Sequence, residues 1–455
     1  MRYNSPSTEM HDSSKLKNGV KRASLLPFIF VMYSYTTGGP FGLEGQVTTS
    51  GPGMTLIYHL LLPFFWCIPV SFVSAELTTA MPVQGGFYRW SRAAFGDFWG
   101  FLAGWWNWSA SFILGGVYAV LFADYLKFFL PTLGDGWTHY IVAIAVIAAV
   151  TLVNVIGIDA VGKLATVLSI LILLPIAVMC VMGAMQWHHN PFLPFTPPGA
   201  SPKQVAGVGL ALGLWLYSGF EQLSTVADEV ENPQRTFPRA LAWVVPLSIA
   251  TYFLPTLFSL AALGDWQKWR DGYFSDAALL IGGHWLGLAV NIAALITALS
   301  LLNGTVIAST RMPFAMAEDG YLPKILTKVH PRFKTPWISI LVSAAICAAL
   351  SWRSLSQLII VYSWLRVATT WMTVIAGWQL RRSAPSMKRP FIIPWGTAGV
   401  IYCVLAPIVI GGIALTASEN PIGGLIALAL GPIAYAFVRI FTRPTEPQSA
   451  VEPVS

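Results

Sequence analysis

Three carboxylates and one guanidinium stand where the surrounding residues leave little room for water. Glu44, Glu76, Glu221 and Arg366 each fall within or at the edge of a long apolar stretch of this 455-residue chain. An ionised group in hydrocarbon costs about 3 kcal/mol or more, so each residue needs a partner or a task. Glu221 follows Ser218-Gly219-Phe220. It can take and release a proton as a site opens around it, or brace neighbouring helices through fixed hydrogen bonds. Glu44 lies just past a glycine-rich stretch, where it can neutralise a bound ammonium or simply cap and hydrate the helix that follows. Glu76, six residues before Pro82, sits near the end of its apolar run, where snorkelling is inexpensive and a structural or gate-forming role fits. Arg366 is either the counter-ion that tunes one of these carboxylates or a staple between helices.

No pattern of catalytic residues competes with this set. The chain has no P-loop, no GxSxG elbow and no HExxH pair, which leaves neither ATP-driven pumping nor hydrolysis indicated. His188 and His189 are adjacent and lack a third ligand at metal-site spacing, so a solvated pair is the expectation. No metal or cofactor is expected. Cys67, Cys180, Cys347 and Cys403 all fall in apolar runs and read as small core residues rather than disulfides.

The elements that carry these residues follow from composition. The chain is 55% hydrophobic and 10% charged, against about 25% charge in soluble domains, so a lipid bilayer must be its solvent. Apolar windows predict twelve membrane helices over residues 24–44, 53–76, 98–126, 138–158, 164–186, 204–227, 239–263, 281–310, 336–352, 355–380, 393–416 and 420–441. The class is therefore all-α membrane protein. Residues 21–443 form one transmembrane domain between short polar tails at 1–20 and 444–455. With the N-terminus inside, 21 of the 27 Lys and Arg fall on inside segments and 5 on outside loops, which places both termini in the cytoplasm of a cell-membrane protein. The net charge of +7 is thus a topology signal and implies no nucleic-acid partner. The first apolar run extends past any plausible cleavage site, against a removable signal peptide. "GGFYRW" (85–90) reads as a short re-entrant or interfacial turn. In "DEVENPQRTFPRAL", Pro233 and Pro238 punctuate the turn into the seventh helix, and the charges read as gate-latching ion pairs or a solvated linker.

Two of the twelve windows are internally broken. The first contains Thr36-Thr37-Gly38-Gly39-Pro40-Phe41-Gly42, and the sixth contains Ser218-Gly219 ahead of Phe220. Irregular backbone at membrane depth survives only where it lines a protected cavity, so these breaks mark a site. The second half of the first helix should start near Phe41 and point its positive end at the middle of the membrane, a seat for a carboxylate. Windows one to five (24–186) and six to ten (204–380) then form two repeats, inverted because five is odd, with the last two helices at 393–441. Inverted repeats with broken helices and a midplane site are the pattern of many secondary transporters.

Five stretches in order, "TTGGPFG", "AELTTAMPVQGGFYRW", "SGFEQLSTVADEVENPQRTFPRAL", "STRMPFAMAEDGYLPKIL" and "KRPFIIP", resemble the amino acid–polyamine–organocation family over nearly the whole chain. "GGPFGLE" is similar to the polyamine-uptake and LAT-like branch of plants and protozoa. The resemblance implies a LeuT-type 5+5 fold with alternating access. It implies that Thr37, Gly38, Gly39, Phe41 and Gly42 hold the polar end of the substrate. Ser218, Gly219 and Phe220 would supply carbonyls and an aromatic wall to an amine, and Trp215 would act as a gate. The chain departs from the family twice. Ile172 occupies the fifth-helix position where many proton-coupled members carry Lys, and Thr373 stands where the plant polyamine branch tends to carry Glu.

Residues and resemblance lead to one expectation: a proton-coupled importer of amino acids or polyamines, with an exchanger of the same fold, a non-transporting nutrient sensor or a subunit needing an ancillary protein as alternatives. The sequence carries no signal of oligomeric state.

Overall fold

A computed structural model describes residues 24–81, 85–133, 136–156, 161–220, 231–333 and 335–441. The regular structure among the described residues is all helix, with no strand. The helices are α1 (Leu25–Thr36), α2 (Glu44–Ser50), α3 (Pro52–Leu62), α4 (Ile68–Ala80), α5 (Gly86–Phe95), α6 (Asp97–Leu126), α7 (Gly136–Ile156) and α8 (Val161–Met185). They continue as α9 (Pro202–Leu216), α10 (Pro233–Leu263), α11 (Tyr273–Gly282), α12 (His284–Glu318), α13 (Trp337–Leu350), α14 (Leu355–Ser383), α15 (Gly396–Ala417) and α16 (Pro421–Phe441). A π-helical turn at Pro63–Cys67 joins α3 to α4 into a single rod.

Helix lies over every one of the twelve predicted windows, although length and composition alone qualify nine segments among the described residues as able to cross a membrane. The shortfall has physical causes. The first window is split into α1 and α2, α9 is described only up to its break, and α13 is short. Three local expectations need correction. "GGFYRW" is no turn but the start of the ten-residue α5, whose phase puts Phe87, Tyr88 and Trp90 inward and buried. Pro238 lies inside α10, which has already begun at Pro233. The second half of the first window starts at Glu44 rather than Phe41, since three positive-φ glycines and Pro40 keep the chain irregular until then.

In lipid there is no hydrophobic drive between helices, so small residues that let backbones approach do much of the packing. α6 runs through the middle of the bundle, and a Cβ at Gly115 would lie 2.4 Å from Sγ of Cys347 on α13. The faces away from this core carry exposed Leu, Ile, Val and Phe, as on α8 and α16, which is what a lipid-facing surface requires. The four cysteines are free, three of them buried.

One end of the bundle is tied by charge. Glu76 at the end of α4 is 3% exposed. It accepts a hydrogen bond of 2.7 Å from Arg381 Nε and a second, shorter one from the same guanidinium, and it lies 3.4 Å from Arg389 Nε. The Ile393 amide donates to it at 2.9 Å. A single carboxylate thereby joins α4, the end of α14 and the "KRPFIIP" segment ahead of α15. On the same side Asp319, just beyond α12, pairs with Arg89 at 2.9 Å and Arg92 at 3.1 Å on α5.

Candidate functional site

α1 stops because its last turn closes loosely. Thr37 and Gly38 both direct their amides at the Tyr33 carbonyl, at 2.8 and 3.0 Å, and Thr36 Oγ1 donates back to Met32 O at 2.7 Å. Gly38, Gly39 and Gly42 then take φ of 63°, 139° and 90°, a region open to glycine and costly for other residues. The opened segment is pinned from outside: Thr297 Oγ1 on α12 donates to Gly38 O at 2.6 Å, and Thr37 Oγ1 meets Ser248 Oγ on α10 at 2.6 Å. The amides of Gly39 and Phe41 have no hydrogen-bond partner among the described residues.

α9 opens opposite. Tyr217 and Ser218 end the helix with amides on Gly213 O and Trp215 O, and Gly219 has φ 110°. Tyr217 Oη, at the break itself, donates to the backbone carbonyl of His59 on α3 at 2.8 Å, and Tyr252 Oη on α10 donates to Leu216 O at 3.1 Å, so the α10 side chain satisfies one carbonyl of the opened turn. A Cβ on Gly219 would lie 3.7 Å from Cγ2 of Thr36. The two breaks therefore face each other directly.

Between them is a cavity of about 50 Å³, whose lining includes Thr36, Trp215, Ser218, Gly219, Asn107 and Arg366. Of the predicted residues, Trp215, Ser218, Gly219 and Arg366 line it. Arg366 on α14 is 2% exposed, donates to Asn107 Oδ1 at 3.4 Å and lies 5.6 Å over the Phe87 ring. Trp215 reaches over the first break: a Cβ on Gly42 would come within 2.8 Å of its ring. Thr37, Gly38, Gly39, Phe41 and Gly42 form the adjoining irregular segment without lining the cavity, and Phe41 packs edge-on against Tyr125 with centroids 5.2 Å apart. Phe220 is fully buried. Glu221, with Asp228 and Glu229, lies outside the described residues. Ile172 sits at the expected place, its Cγ2 3.2 Å from a Cβ built on Gly39.

Glu44 stands at the start of α2. It is fully buried and does not line the cavity, accepting instead from the Gly42 amide at 2.8 Å and from the Tyr125 hydroxyl. The carboxylate at the head of α2 is thus the protein's own. Tyr125→Phe should leave Glu44 short of a donor in a dry site, a loss of about 1.5–3 kcal/mol for a bond to a charged group. A lowered melting temperature of the purified variant checks this. Glu76 is a tie at the end of the bundle, distant from the cavity.

Sequence reasoning passed over Asn107, Thr305, Ser309 and Tyr362, which also line the cavity. A signal existed for Asn107: it is a lone amide in the apolar run "FLAGWWNWSASF". The serine and threonine carried none, since such residues are common in membrane helices where they bond back to their own carbonyls.

The comparisons with known proteins agree with this geometry. The amino acid permease family pattern matches residues 27–429. The polyamine transporter RMV1 of Arabidopsis thaliana is 33% identical over 421 residues, covering 91% of this chain and 84% of that protein. The polyamine transporter PUT1 of rice is 30% identical, covering 93% and 78%. An uncharacterized transporter of Mycobacterium tuberculosis is 28% identical, covering 87% and 85%. A match across both helix breaks, the cavity between them and the charged end of the bundle establishes that this chain is a multi-pass membrane transporter, not an enzyme, and belongs to the amino acid permease family.

Proposed function

We propose that the chain is a proton-coupled secondary transporter of amino acids or related organic amines such as polyamines, working by alternating access in a LeuT-type fold of two inverted repeats. The observation that carries this is the meeting of two opened helices, α1 at residues 37–43 and α9 at residues 217–220, on one polar and aromatic cavity. Free amides at Gly39 and Phe41 can receive the polar end of a substrate, while Trp215 and its aromatic neighbours suit an ammonium. The named relatives that transport polyamines favour organic amines.

A cavity of about 50 Å³ is far below the roughly 300 Å³ at which small-molecule sites begin. Substrate entry therefore requires Trp215 to swing off Gly42. The chain's net charge distribution supports termini in the cytoplasm and a cell-membrane location. Glu221 is the proposed proton carrier, from its position directly after the α9 break.

The test is uptake of radiolabelled amino acids and putrescine into proteoliposomes with and without an inward-directed proton gradient. Accumulation above equilibrium only with the gradient supports the reading. Strict counter-transport without accumulation would make the protein an exchanger, and binding without uptake a sensor. Glu221→Gln should abolish gradient-driven accumulation while the protein still inserts. Unaltered pH-dependent uptake by that variant removes Glu221 from the coupling role.

A further inference from the structure

At the end of the bundle opposite Glu76, a second cavity of about 350 Å³ opens between the end of α6, the start of α7, the connection before α11 and the turn into α14. This volume is within the range of small-molecule sites, about 300–1,000 Å³. Its charges are unequally satisfied. Asp124 is paired with Lys127 at 2.9 Å and faces His139 at 3.1 Å. Asp271, by contrast, makes no hydrogen bond or ion pair among the described residues, although it is partly withdrawn from solvent. Its Oδ1 rests over the first turn of α2, 3.2 Å from where Gly45 would carry a Cβ. Arg353, which lines the same cavity, is exposed and likewise makes no ion pair among the described residues. Tyr140 and Trp352, with centroids 5.2 Å apart, give the same cavity an aromatic wall.

We propose that this outer cavity is a separate binding site for a small zwitterion such as an α-amino acid, its ammonium on Asp271 and its carboxylate on Arg353. Solutes of one sign fit less well. A polyamine would meet Lys127 and Arg353, and a dicarboxylate would meet Asp271. A molecule with one charge of each sign satisfies both groups that the protein leaves unsatisfied, and a carboxylate on a guanidinium can form a bidentate pair.

Asp271 is costly to the fold without such a ligand. Burial, with Asp124 nearby, pushes its carboxyl up to about 7 against the pull of Lys127. His139 and Arg353 also line the cavity, Arg270 beside it is paired to Asp276, and Glu44 and Tyr125 lie beneath. A carboxyl raised above its unfolded value penalises the folded protein once the pH exceeds that ordinary value. The penalty grows with pH until about 7, where the folded form has ionised. Asp271→Asn should therefore raise the melting temperature more at pH 8 than at pH 5, while weakening ligand binding. A merely structural aspartate would lose stability instead.

The experiment is calorimetric titration of the full chain in nanodiscs with L-leucine, putrescine and succinate. It is run on the wild type and in a Gly39→Val background that weakens the central site. The proposal predicts that L-leucine binds in the Gly39→Val background. Asp271→Asn and Arg353→Ala should each weaken that binding by at least about tenfold, the worth of one bond to a charged group. Should Gly39→Val fail to fold, loss of one leucine site per wild-type chain on Asp271→Asn is the equivalent result. Leucine binding in the Gly39→Val background that is indifferent to both substitutions, or putrescine or succinate binding there as tightly as L-leucine and lost on Asp271→Asn or Arg353→Ala, would overturn the zwitterion site. Failure of the central transport site alone would leave the Asp271-dependent binding in place, so the two readings are separable.

Discussion

Gly39→Val should cut substrate affinity and uptake by about 5- to 150-fold, the equivalent of 1–3 kcal/mol of strain at the first helix break. Gly39 has φ 139°, and a Cβ there would fall 2.7 Å from the Phe41 ring and 3.2 Å from Ile172. Phe41 cannot simply retreat, because it is buried and packed edge-on against Tyr125, which holds Glu44 at the head of α2. The substitution must therefore distort the segment bearing the free Gly39 and Phe41 amides. Its effect belongs on binding, since α1 and α2 on either side are anchored by Thr297, Ser248 and Glu44. Equilibrium binding and initial uptake rate, measured with melting temperature as a control, separate these outcomes. Wild-type affinity in a well-folded Gly39→Val protein would move the site away from the break.

Glu76→Ala should lower stability by about 3 kcal/mol, toward the lower end of the 3–5 kcal/mol seen when one partner of a buried pair is removed. The lower end applies because Arg381 retains 25% and Arg389 13% of its side-chain exposure, so water relieves part of the orphaned charge. Glu76→Gln, which keeps an acceptor for the Ile393 amide, should fall between wild type and alanine. The loss should shrink when Arg381→Ala is combined with Glu76→Ala, since the two residues act as one unit. Thermal unfolding of the four proteins checks this. A Glu76→Ala protein that melts with the wild type would reduce the contact to a surface ion pair.

How much of this could be read from residues depends on which physical signal each feature leaves. Helix positions were legible because hydrocarbon tolerates no unpaired backbone, and apolar runs of the right length can be little else. The break in α1 was legible for the same reason: Gly38, Gly39, Pro40 and Gly42 cannot sit in a helix interior without a purpose. Its far boundary was not, because the residue that restarts the helix, Glu44, is chosen by a contact with Gly42 and with Tyr125, 81 positions away. Glu76 was legible as a structural or gate-forming carboxylate near the end of its span, but its burial was not, because its partners Arg381 and Arg389 were hidden among the basic residues that serve topology. α5 was missed since "GGFYRW" has both turn glycines and aromatics, and only packing against α6 and α14 decides for helix. The outer cavity left no sequence signal at all, as Asp124, Asp271 and Arg353 are unremarkable loop and helix-end charges until the fold brings them together.

The central claim is that the two broken helices hold the transported solute between them, and a single accessible thiol at Thr36 tests it. Three of the native cysteines are buried, so the wild type serves as a low background for modification by a small methanethiosulfonate reagent. In Thr36→Cys proteoliposomes, the account predicts that modification blocks uptake and that an excess of transported amino acid or polyamine slows the modification. If the thiol reacts at the same rate with and without every transported solute, and uptake survives its modification, the solute does not pass between Thr36 and Gly219.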